Sequence, residues 1–271
     1  MAIKFVDRVP TRPGRVKIIP EDGSPVWYGV IERADEPSAE GTPINAANLN
    51  AMQQSQGLSA NITIYVAPSG SNSLGDGSSS APYATITRAL SMIPKNLNGY
   101  TATINIAAGF YPETVTIQNF GCGILKLSGI EGATITLGGM RVINSRHVEI
   151  NTITLHIENG YMNVEGSDVN VLSPFFATGG RYGVHATNNS SVIFAALLNV
   201  TNTTDYGVVS TMNSRVYLYH YVGGGNVVSA AALHGSVCSI RLHEDTTSLT
   251  KYITISGGRI YTGSQTNMPN Y

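Results

Sequence analysis

The side chains best placed to do chemistry are His147 and Glu149, in RHVEI, and Asp168, in SDVNV. If the chain winds on itself with the period described below, the three converge, because neighbouring coils bring outward residues to within about 5 Å. Two carboxylates at that separation suit a retaining glycosidase, and an imidazole beside them serves as acid or base. The same residues also make an ordinary solvated ladder with a His–Asp hydrogen bond. No second feature of the sequence supports catalysis, so none of the three is assigned a catalytic role and the chain is read as non-enzymatic. A polysaccharide depolymerase, glycosidase or lyase, stands as the rival reading.

A second set of residues is suited to contact. Tyr217, Tyr219 and Tyr221 alternate in VYLYHYVG, so all three point outward if Leu218 points inward. With Tyr182 and Tyr206 they would form an aromatic surface able to stack on sugar rings. Ile193, Tyr217 and Val237 put apolar groups outward on adjacent coils, and exposed patches of this kind usually meet a partner. A sister subunit about a three-fold axis is the expected one, and a sugar ring the alternative. No metal site is expected. The histidines (His147, His156, His185, His220, His234 and His243) take different places in the repeat, without an HxH pair. GDGSSS lacks the lysine of a phosphate loop, so no cofactor is expected either. Cys122 and Cys238 form no CxxC pair and read as buried free thiols.

What must position these residues is a repeat. GRYGVHATNNSSVIF (180–194) aligns without a gap on TDYGVVSTMNSRVYL (204–218), an offset of 24 residues. Tyr182, Gly183, Val184, Thr187, Asn189, Ser190 and Val192 meet Tyr206, Gly207, Val208, Thr211, Asn213, Ser214 and Val216. Ser167, Ser190, Ser214 and Ser236 mark the same place in successive units, with Arg146 upstream of them. Apolar pairs follow each: Val148/Ile150, Val169/Val171, Val192/Phe194, Val216/Leu218 and Cys238/Ile240. A unit of 21–24 residues suits one coil of a parallel β-helix, three short strands and three turns stacking inward residues on those of the next coil. An antiparallel sandwich is the competing arrangement, and the gapless match argues against it. Residues 101–262 then supply about seven coils. The outward ladders run His147–Asp168–Ser191–Arg215–Val237 and Glu149–Asn170–Ile193–Tyr217–Ser239.

The chain opens differently. Residues 1–57 hold 13 of the 33 charged side chains, and residues 58–271 the other 20. A boundary near Gly57 follows. Pro10, Pro13, Pro20, Pro25, Pro37 and Pro43 break the first part into short extended pieces. One helix is expected at 44–56, with Asn45 as cap and Ile44 packing on Leu49. Residues 58–100 carry a Gly/Ser/Asn-rich loop, ordered or flexible, from Ser69 to Ser80. A short helix follows, with Ile86, Ala89, Leu90 and Ile93 on one face, Thr85 as cap and Pro94 as stop. It is suited to cover the open end of the β-helix. Only 12% of residues are charged and the net charge is −1, which gives no electrostatic case for nucleic acid or an anionic membrane. No segment reads as a signal peptide or bilayer span, so cytoplasmic synthesis is expected.

Two segments resemble known families. YVAPSGSNSLGDGSSSAPYATITRAL is similar to the opening of pectate-lyase-like right-handed β-helix domains of phage tail fibres and tailspikes. DRVPTRPGRVKI with ERADEPSAEGTPINAANLN resembles the N-terminus of tail and baseplate-associated proteins in prophages of Gram-positive bacteria. The resemblance implies a homotrimeric virion structural protein that attaches to the tail or baseplate through residues 1–57 and projects residues 58–271, with the β-helix and C-terminal segment at 101–271, for host attachment. The clustered aspartates and basic residue of the lyases have no counterpart here, so no catalytic residue is carried over. A glycan-binding adhesin is a further alternative.

Overall fold

Alternation of Val, Ile and Leu with polar residues gives strands with one apolar face, which must be covered. The computed structural model describes residues 57–245 and 247–262 and two earlier strands, Arg15–Ile18 and Trp27–Val30. The chain divides into two units, Met1–Ser55 and Gln56–Tyr271. In the first, Arg15–Ile18 pairs antiparallel with Trp27–Val30, Ile18 opposite Trp27. The helix expected at 44–56, with its Asn45 cap and Ile44–Leu49 contact, lies outside the described residues.

The second unit is a right-handed parallel β-solenoid of about seven turns, as the repeat requires. On its first face the stacked residues are Ile62, Ala102, Leu125, Val148, Val169, Val192, Val216, Cys238 and Ile260. Nine rungs at about 4.8 Å make this ladder about 38 Å long. The second face stacks Ile135, Leu155, Phe175, Leu198 and Tyr221. The third stacks Met140, Met162, Val184, Val208 and Ala230. These columns close on one another as one apolar core.

Parallel stacking leaves turn amides inside the rod, and each needs an acceptor. Between the third and first faces a column of buried serines supplies it. The amide of Phe120 donates to Ser145 Oγ (3.2 Å), Ser145 N–H to Ser167 Oγ (2.9 Å) and Ser167 N–H to Ser190 Oγ (3.3 Å). Ser190 N–H then donates to Ser214 Oγ (3.1 Å) and Ser214 N–H to Ser236 Oγ (3.2 Å). The first serine of the column is therefore Ser145, one place before the Arg146 that the spacing suggests. The extra residue before Val148 is taken up at His147, whose φ is +51°.

Between the second and third faces four successive coils turn through a left-handed corner, where Asn159, Gly179, Asn202 and Gly225 have φ of +55°, +74°, +57° and +64°. Only Gly and Asn adopt that conformation at low cost. The repeated Gly183 and Gly207 have another cause. A Cβ on Gly183 would lie 2.2 Å from a Val200 methyl, and one on Gly207 2.6 Å from the Ser229 carbonyl oxygen.

The step of 40 residues from Ile62 to its rung partner Ala102 makes room for the cap. The Ser69–Ser80 loop is ordered: Asn72 Oδ1 accepts from the amides of Ala84 (2.9 Å) and Thr85 (3.2 Å). Helix α1, Ile86–Ser91, buries Ile86, Ala89 and Leu90 over the core, and Ile93 just beyond it is buried too. Thr85 Oγ1 caps it by accepting from Arg88 N–H (3.2 Å). Glu113, from the strand Gly109–Gln118, adds a second clamp, its two oxygens accepting from Ile86 N–H (2.7 Å) and Thr87 N–H (3.0 Å). A carboxylate suits the positive end of a helix.

Replacing Ser190 by Ala leaves the buried Ser167 amide without its acceptor and is expected to cost about 1–3 kcal/mol. Ser191→Ala, one residue on and outward, is expected to cost less than about 0.5 kcal/mol. Denaturant unfolding of the two variants measures the difference.

Candidate functional site

Position on the first face decides what His147, Glu149 and Asp168 can do. Glu149 is the rung partner of Lys126 on one side and Asn170 on the other, while Asp168 partners Ser191. The two carboxylates therefore stand diagonally, two residues out of register, rather than opposed. Asp168 is engaged by Arg146, whose Nη1 donates to Oδ2 at 2.7 Å. That ion pair replaces the His–Asp hydrogen bond expected from the spacing, because Arg146 sits directly after the serine column. His147 is exposed in the turn. The arrangement is a solvated ladder with a surface ion pair.

The aromatic residues divide between faces. Ile193 and Tyr217 are rung partners on the first face, both half-buried, with Val237 one ladder away. Tyr219 is 52% exposed at the corner, with the Arg241 guanidinium 4.7 Å from its ring centre. Tyr221 does not point outward as the alternation predicts: it is fully buried, and its hydroxyl donates to the Ser229 carbonyl (3.0 Å). The strand turns from the first face to the second between Leu218 and Tyr221, so Tyr219 and His220 both stand outside and the parity resets. A buried tyrosine needs a partner for its hydroxyl, and Ser229 provides one. Tyr182 and Tyr206 lie on the third face, stacked at 6.1 Å and 19°, with Tyr161 edge-on to Tyr182 at 5.8 Å. The tyrosines therefore form separate groups, not a single platform. Beside Tyr182, burial above all, and then Arg181, moves His185 below the ordinary imidazole range, with Glu165 opposing.

A different place gathers contact chemistry. On the outer side of the second face a trough of about 280 Å³ is lined by His156, Glu158, Phe176, Thr178, Asn199 and Thr201. His156 stacks on Phe176 with ring centres 4.6 Å apart and planes 13° apart. Thr201 Oγ1 donates to Thr178 Oγ1 at 3.2 Å. These residues escape a reading fixed on the serine-centred period, because here successive coils are 20 and then 23 residues apart. The usable signal is the pentad TLHIE (154–158), PFFAT (174–178), LLNVT (197–201), apolar at its second and fourth places.

Among the described residues no group of three or more His, Cys, Asp or Glu is placed to hold a metal ion. Both cysteines are free, and only Cys238 is buried. Cys122 is exposed because it sits in a turn with φ of +57° rather than on an inward strand position. No family model matches the chain, and no curated protein or solved structure is significantly similar to it.

Burial pushes the Cys238 thiol up to about 12, so it stays protonated and enclosed at neutral pH. A thiol reagent at pH 8 is expected to modify Cys122 alone in the folded protein and both cysteines after denaturation, read by mass spectrometry.

Proposed function

We propose that the chain is a structural protein of a phage-type tail, fibre or baseplate-associated, that docks through its N-terminal unit and presents its solenoid to the host surface. The observation that carries this reading is the division of the chain into a short N-terminal unit and a long parallel solenoid whose first end is sealed by α1. A rod of stacked rungs gives stiffness and reach without a catalytic centre. The likeness of residues 7–50 to tail and baseplate-associated proteins supplies the place of attachment. On this reading the chain is made in the bacterial cytoplasm and carried on a virion or phage-like particle. It is a homotrimer whose sister subunits meet across apolar outward positions such as Ile193 and Tyr217; it takes no nucleic acid as partner and does not insert into a membrane.

The depolymerase reading loses support from the first face. Asp168 is bound by Arg146, and the carboxylates are diagonal, whereas a retaining pair faces one substrate bond from both sides. The adhesin reading keeps its support, since outward aromatic and polar groups suit a glycan.

Antibody against residues 58–271 is expected to label the distal end of purified tail particles, and particles assembled with a chain that lacks residues 1–57 are expected to lack the label. Retention of the truncated protein refutes the docking role. Sedimentation at micromolar concentration is expected to give three times the 28.7 kDa chain mass; a clean monomer refutes the trimer.

A further inference from the structure

We propose that the trough on the second face is a saccharide subsite that takes one neutral pyranose unit. This rests on the reading of the solenoid as a surface-contacting rod and gives that contact a location and a ligand class. The trough lies between two outward ladders. One runs His156–Phe176–Asn199 and the other Glu158–Thr178–Thr201. It spans three rungs, about 10 Å along the rod. Its 280 Å³ lies below the roughly 300–1,000 Å³ of a site for a drug-sized ligand. The space fits a single sugar ring open to solvent on one side, as a unit within a longer glycan requires.

The two walls differ as the two aspects of a pyranose differ. One wall is the His156–Phe176 stack, an apolar surface for the ring's C–H groups. The other is hydroxyl and carboxylate. Thr178 Oγ1 accepts from Thr201, which leaves the Thr178 hydroxyl hydrogen to donate to a ligand. Neither Glu158 nor the Asn199 amide has a hydrogen-bond or ion-pair partner among the described residues. A carboxylate acceptor, an amide with both donor and acceptor, and a hydroxyl donor thus converge on one ring-sized space.

The same groups set the charge of the ligand. Glu158 is the one carboxylate in the lining, and no Lys or Arg lies there. A uronic or sialic acid would bring its carboxylate beside Glu158 without a cation to offset it, which opposes binding. Neutral hexoses and N-acetylhexosamines meet no such repulsion.

Saturation-transfer NMR on the full chain tests this with four probes: methyl β-glucoside, methyl β-galactoside, methyl N-acetyl-β-glucosaminide and glucuronate. At least one neutral probe is expected to receive transfer at millimolar concentration, as an open site for one ring allows, with glucuronate well below it. Thr178→Trp fills the trough and is expected to weaken the neutral signal by roughly tenfold or more. Glu158→Gln keeps the shape and is expected to raise glucuronate toward the neutral probes, a gain that a misfolded variant cannot produce. The proposal is overturned if no neutral probe binds, if glucuronate equals or exceeds them in the wild-type chain, or if Thr178→Trp leaves transfer unchanged while its circular dichroism matches wild type. Antibody labelling of tail particles makes no use of this trough, so the subsite and the tail assignment can fail separately.

Discussion

Each turn between the third and first faces would bury an amide with no partner if the next coil did not bring a hydroxyl to it. The column Ser145, Ser167, Ser190, Ser214, Ser236 meets that requirement coil after coil, and every serine in it is buried. An unpaired amide inside the rod costs as much as several methylenes gain by burial. The serine column therefore fixes register more strictly than the apolar residues do, since Val stacks acceptably on Leu, Ile or Cys. Where the spacing between serine and strand changes by one residue, as before Val148, the chain keeps the serine aligned and places the extra residue in a left-handed turn at His147.

This hierarchy explains what the sequence made legible. Two repeats align at every position that faces a neighbouring coil, so the period, the inward pairs and the first-face ladder from Glu149 to Ser239 could be read from spacing alone. The cap was legible for a related reason, because Ile86, Ala89, Leu90 and Ile93 need a surface to cover and a rod has an end. The corners were not legible. Nothing in VYLYHYVG marks the bend between Leu218 and Tyr221, and a simple alternation carries Tyr221 to the wrong side. Second-face coils differ in length, so the ladder of His156 and Phe176 falls outside any single frame. The pairing of Arg146 with Asp168 needed the serine column to be set one residue earlier.

Function follows the same division between what must repeat and what is free to vary. Inward positions must fill the core against the coil above and below, whereas outward positions are freer to vary, even where they pair along the rod as Tyr182 does with Tyr206 and Thr178 with Thr201. Each face accordingly carries a different set of groups: charged and mixed on the first, aromatic and hydroxyl on the second, stacked tyrosines on the third. A rod of this kind offers several independent surfaces along one length, one for assembly and another for a ligand, without either disturbing the core.

The clamp of Glu113 on the first turn of α1 has a consequence for how the protein is made. The cap precedes its clamp in the chain by 26 and 27 residues. While the ribosome is still adding residues before Glu113, α1 has neither its second anchor nor the coil it covers, and six residues do not hold a helix by themselves. The cap cannot template the rod; the rod's opening coil must emerge and close first. Synthesis from the N-terminus thus leaves the lid waiting on its vessel, and a helix made before most of the rod is among the later parts to become ordered.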